Sequence, residues 1–101
     1  MATGWPDTRF VDRVGTALPI VQAPMAGAGD HRLAIAAAAG GALGSIPCGM
    51  LGEDQVAVEV AAVRAASGAP INLNFFCHDL PPEPNGRDWQ ALLEPYYREY
   101  G

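Results

Sequence analysis

The sequence predicts an α/β protein built on a parallel sheet, and three observations carry the prediction. Apolar runs at residues 20–23, 43–46 and 71–76 are too short for helices and have the length of strands. The first two stop at Pro24 and Pro47, where a backbone donor is not needed. Longer stretches with helical spacing follow each run, and strand and helix in this alternating order form a parallel sheet through right-handed crossovers.

Taken in order, residues 8–14 put Phe10, Val11 and Val14 on one helical face, with Asp7 or Thr8 as cap and Gly15 as stop. The first strand, residues 20–23, is expected to be buried between Pro19 and Pro24. Gly27 and Gly29 then allow a sharp turn and a close approach of backbone to a ligand. Asp30 caps a helix over residues 31–39, whose N-terminus is expected to aim near the same point. Alanine and aliphatic residues dominate that helix, so it should pack closely before Gly40-Gly41 ends it.

A second strand is expected at residues 43–46. The helix predicted over residues 53–66 opens on Glu53 and Asp54, carries Arg64 in its last turn, and closes at Gly68 and Pro70. Val56, Val60 and Val63 form its buried stripe. The third strand, residues 71–76, puts Asn72 and Asn74 on one face and Ile71, Leu73 and Phe75 on the other. Amides on a buried face need partners. Residues 77–87 are too rich in proline for regular structure and long for a strand-to-helix connection, as active-site loops often are. In the last segment Trp89, Leu92, Leu93, Tyr96, Tyr97 and Tyr100 have helical spacing, and Pro95 either kinks the helix or opens a second one.

Half of the 101 residues are hydrophobic and 17% are charged, which suits one buried globular domain and not a tail. With a net charge of −5 and six Lys and Arg scattered singly, no nucleic-acid surface is expected. Residues 33–52 carry no charge, but Gly40-Gly41, Gly44-Ser45 and Pro47 cut that stretch too often for a membrane span. The first residues lack a secretory pattern, so a cytoplasmic location is expected. No spacing suits a metal, and Cys48 and Cys77 are expected as reduced thiols.

Gly27-Ala28-Gly29 fails the dinucleotide fingerprint, because Arg32 stands where its last glycine is needed. Cys77 and His78 point to opposite sides of an extended segment and make no nucleophile and base. His78 is a candidate for the mouth of a site, and His31 is expected on a helix surface.

Three motifs go further: Pro19-Ile20-Val21-Gln22-Ala23-Pro24-Met25-Ala26-Gly27, Ala39-Gly40-Gly41-Ala42-Leu43-Gly44-Ser45 and Pro70-Ile71-Asn72-Leu73-Asn74-Phe75-Phe76. In this order they resemble the N-terminal part of the nitronate monooxygenase family, FMN-dependent enzymes once grouped as 2-nitropropane dioxygenases, over residues 18–78. The resemblance implies a TIM (β/α)8 barrel with FMN at the carboxyl ends of its strands. Residues 1–101 would then be a single partial domain, the first three βα units, with the remainder of the barrel absent. It implies FMN contacts at Ala23, Pro24, Met25 and Asn74, with a small nitronate or nitroalkane and molecular oxygen as partners. By the same resemblance the catalytic histidine and the phosphate site fall beyond Gly101, so no catalytic residue is expected within the chain. An FMN-dependent enoyl-thioester reductase of the same barrel type is an alternative. A non-catalytic fragment that only self-associates through its open sheet edges is another, and homo-oligomerisation is left open.

Overall fold

A computed structural model of the chain describes residues 4–80, 82 and 86–101. Helix α1 spans Arg9–Val14, α2 His31–Ala39, α3 Glu53–Ala66 and α4 Arg87–Tyr100; strands β1, Gly44–Pro47, and β2, Ile71–Asn74, form a two-stranded parallel sheet. The two helices that cover this sheet have the limits expected of them, because each is bounded by local signals. The Asp30 carboxylate accepts from the Arg32 amide at 2.8 Å at the start of α2, and Gly41 takes φ +90° just past its end. At the start of α3, Gln55 Oε1 reaches back to accept from the Gly52 amide at 2.9 Å.

The core lies where α2 and α3 pack behind β1. Ala34, Ile46, Cys48 and Val63 are its buried members, with Ile35, Leu51, Val56 and Ile71 packed against them. Full burial of Ile46 and Val63 contributes roughly 1.5–3 kcal/mol each. Gly44 makes the close packing of α2 on β1 sterically available, since a Cβ there would stand 2.3 Å from the Ala34 carbonyl oxygen.

The register pairs Gly44 with Ile71, Ser45 with Asn72, Ile46 with Leu73 and Pro47 with Asn74. Ser45 is fully buried, and its hydroxyl accepts from Asn72 Nδ2 at 3.1 Å. The partner that the Asn72 amide requires is therefore on the neighbouring strand. The first expected strand is reduced to a single parallel bridge, Val21 to Leu43. Its cause is local: the Ser45 amide donates to the side-chain Oε1 of Gln22 at 2.8 Å, so this side chain ends the ladder. Ile20 and Val21 are 47% and 46% exposed, not buried as their composition suggests.

Pro47 is tolerated in β1 for the same reason. Alternate residues of a parallel strand bond to opposite neighbours. The Cys48 amide donates to the Asn74 carbonyl at 2.8 Å on the β2 side, whereas position 47 faces the side where the first segment has already ended. With β1 finished, β2 stops at Asn74 and Phe75 and Phe76 run on as extended chain, shorter than the expected strand over residues 71–76.

Helix α1 ends as expected at Gly15, with φ +85°. Thr8 is its N-cap residue without a capping side-chain bond, and Asp7 Oδ1, one residue earlier, accepts from the Arg9 amide at 3.0 Å. Helix α4 runs through Pro95 without a break, so of the two outcomes posed by that proline a single helix is found. None of its residues is buried, and water can take the carbonyl that Pro95 leaves unpaired. Residues 81 and 83–85 of the proline-rich stretch lie outside the described residues. The radius of gyration is 19.4 Å, against about 13 Å for a compact chain of this length. Among the described residues no helix is long and apolar enough to cross a membrane.

Candidate functional site at the carboxyl ends of the strands

The bridge and the sheet place the first extended segment, β1 and β2 side by side in chain order, with their carboxyl ends together. Across β1, the outer two are separated laterally by about 10 Å. Ala23, Pro24 and Met25 leave the first of these ends and Asn74 leaves the last. Ala23 is exposed, Pro24 half-buried and Met25 44% exposed, so an apolar strip faces outward here. The Met25 carbonyl accepts from the amides of Ala28 and Gly29 at 3.1 and 2.8 Å, closing a tight turn in which Gly27 has φ +76°. Asn74 is exposed, and among the described residues its side-chain amide has no hydrogen-bond partner. Pro47, at the end of β1, lies between these groups.

Beside this strip a small cavity of about 100 Å³ is lined by Gly27, Gly29, Asp30, Pro47, Leu51 and Glu59, among others. A larger hollow of about 640 Å³ lies at the amino end of the first segment, between α1 and Pro19. The carboxyl ends remain the better candidate, because exposed apolar groups and the exposed Asn74 amide lie together there. In parallel α/β proteins that is also the end at which ligands bind.

The N-terminus of α2 does not offer itself to a ligand as its sequence suggests. Two of its amides are taken by carboxylates: Arg32 by Asp30, and His31 by Glu59 Oε2 of α3 at 2.7 Å. His31 Nδ1 is also 3.1 Å from Glu59 Oε2. His31 is thus tied to a neighbouring helix and is not simply a surface residue. The Arg32 guanidinium holds the Asp30 carboxyl at a pKa of about 2, so this cap is ionised at neutral pH. A phosphate here would compete with two anions and does not fit. Among sequence signals, only the position of Glu59 between Val56, Val60 and Val63 hinted at this contact: it is a carboxylate within an apolar stripe.

Past β2, Phe76 lies against Gly49, where a Cβ would come within 2.6 Å of the ring. His78 is exposed and tilted against Phe76, ring centroids 5.7 Å apart, which places it beside the same end of the sheet. Both cysteines are free. Cys48 is buried, its Sγ donates to the Ile46 carbonyl at 3.5 Å, and burial pushes its thiol pKa up, which makes it a core group and not a nucleophile. Cys77 is exposed. No cluster of three or more metal-ligating side chains occurs among the described residues.

Two parallel strands, a first segment joined to them by one parallel bridge, and helices packed behind define a mixed α/β protein with a small parallel sheet. A family model described as nitronate monooxygenase matches residues 7–99, and the chain belongs to that family. It is 35% identical over 91 residues to a nitronate monooxygenase of Paraburkholderia phytofirmans and 34% identical over 95 residues to one of Pseudomonas aeruginosa. These alignments cover 87% and 92% of this chain but 25% and 27% of the relatives, so the chain spans about a quarter of their length.

Proposed function

We propose that this chain is the N-terminal part of an FMN-dependent nitronate monooxygenase, a (β/α)8 barrel enzyme that oxidises small nitronates or nitroalkanes with molecular oxygen. The observation that carries the reading is the pairing of a largely exposed apolar strip, Ala23-Pro24-Met25, with the Asn74 amide, which has no hydrogen-bond partner among the described residues, at the same end of a parallel sheet in a chain of this family. These groups fit a flat heteroaromatic ring. Ala23 leaves room beside its methyl, Pro24 and Met25 provide an apolar wall, and Asn74 offers both a donor and an acceptor. They do not fit the phosphate, since the α2 amides nearest the site are already bound to carboxylates. FMN, when bound, supplies the electron transfer from nitronate to oxygen, and the residues of this chain bind and orient. In this reading the base that takes a proton from a nitroalkane, the phosphate site and the remaining βα units come from outside residues 1–101, and the protein works in the cytoplasm.

The test is to purify the whole protein, measure its flavin absorbance and follow oxygen uptake with a small alkyl nitronate. One FMN per chain and nitronate-dependent oxygen uptake are expected. A yellow protein that ignores nitronates but reduces an enoyl thioester with a nicotinamide donor would replace this reading by the reductase. A colourless protein inactive in both assays would refute the flavin reading.

A further inference from the structure

Glu59 is out of place for a residue whose only task is packing. It stands on the face of α3 that carries Val56 and Val63, its side chain is 20% exposed, and a carboxylate so placed costs stability unless it is fully partnered. Its partners are the backbone amide of His31 at 2.7 Å and His31 Nδ1 at 3.1 Å, 28 residues away in the chain. His31 begins α2, directly after the turn that the Met25 carbonyl closes by accepting from Ala28 and Gly29. Glu59 also lines the small cavity together with Gly27, Gly29 and Pro47. One side chain of α3 therefore fastens the far end of the turn whose near end is Ala23-Pro24-Met25.

We propose that Glu59 is a positioning residue: by holding the first amide of α2 from α3, it fixes the turn at residues 25–30 and through it the apolar strip that receives the flavin. The inference rests on the flavin reading above for its ligand, but not for the contact itself. Asp30 caps the same helix from the adjacent position and secures its local geometry, whereas Glu59 ties that helix end to the neighbouring helix α3. Loss of Glu59 should therefore loosen the turn while leaving α2 folded.

Hydrogen–deuterium exchange on the whole protein, comparing wild type with Glu59→Ala, Glu59→Asp and Glu59→Gln, tests this together with FMN affinity. Glu59→Ala should speed exchange across residues 26–33 about tenfold, as expected for loss of a hydrogen bond to a charged group, with the segments around Ile46 and Val63 unchanged. Glu59→Gln keeps an oxygen acceptor and should stay within about twofold of wild type, while Glu59→Asp keeps the charge but falls short of His31 and should resemble Ala. FMN binding should weaken in the same order. If Glu59→Ala fails to fold, the Asp and Gln pair still decides. Equal exchange in all four proteins would overturn the proposal. So would faster exchange with unchanged FMN affinity, which would reduce Glu59 to a helix cap. If the wild type binds no FMN at all, the flavin reading fails, and the exchange pattern by itself still confirms or refutes the hold of Glu59 on the turn.

Discussion

Residues 31–66 and residues 75–101 are both rich in large apolar groups, yet among the described residues only the first region buries any of them, with Met50 and Val58 left exposed. In the first region Ala34, Ile46, Cys48 and Val63 are at most 2% exposed. In the second Phe75, Phe76, Trp89, Leu92, Tyr96, Tyr97 and Tyr100 are 57–77% exposed. The helical pattern of α4 is as regular as that of α3, so periodicity alone does not bury a face. Burial requires a second layer at the right distance, and β1 supplies one for α2 and α3, while α4 packs no buried residue against anything among the described residues. In the reading proposed above, that second layer is the remaining barrel.

The largest effect expected from a single change falls in the first region. Gly44→Ala puts a methyl against backbone atoms of Ala34 at 2.3–2.8 Å, which α2 can relieve only by moving off the sheet. A loss of roughly 3 kcal/mol, at the upper end for overpacking, should appear as a lower urea midpoint. Wild-type stability in this variant would mean that α2 does not lie as close to β1 as the structure has it. The smallest effect belongs to α4. Leu92→Ala, at a position 61% exposed, should shift the stability of the 101-residue chain by no more than about 0.5 kcal/mol. A loss above about 1 kcal/mol would show that this face finds a partner within the chain or in a second copy, and the contrast between the two regions would fail.

Helices α2 and α3 were legible in the sequence because their ends are set by neighbours: Asp30 and Gly41 for one, Gly52-Glu53 and Gly68 for the other. Strand lengths were less so. Whether residues 20–23 form a strand depends on which oxygen of Gln22 accepts from Ser45, its own carbonyl or its side chain, and nothing in the run of apolar residues decides between them. The end of β2 depends on the end of β1, a tertiary fact. The contact between His31 and Glu59 joins residues 28 apart, so local signals for His31 gave only a helix-surface position. At the candidate site the amide pattern of β2 was readable from alternation, and the structure separates its members: Asn72 is satisfied by Ser45, and Asn74 is left outward. Assignment of Ala23, Pro24 and Met25 to a flavin came from the motif, since their residue types by themselves describe any strand end.

FMN retention by the whole protein carrying Asn74→Leu tests most directly whether the carboxyl ends of these strands hold the flavin. Wild type should come off the column yellow at one FMN per chain. The variant should bind at least about tenfold more weakly, the loss expected for a hydrogen bond of 1 kcal/mol or more to the ligand, and lose its colour on dilution. Full flavin occupancy in Asn74→Leu after the same dilution would contradict the placement and move the flavin away from this end of the sheet.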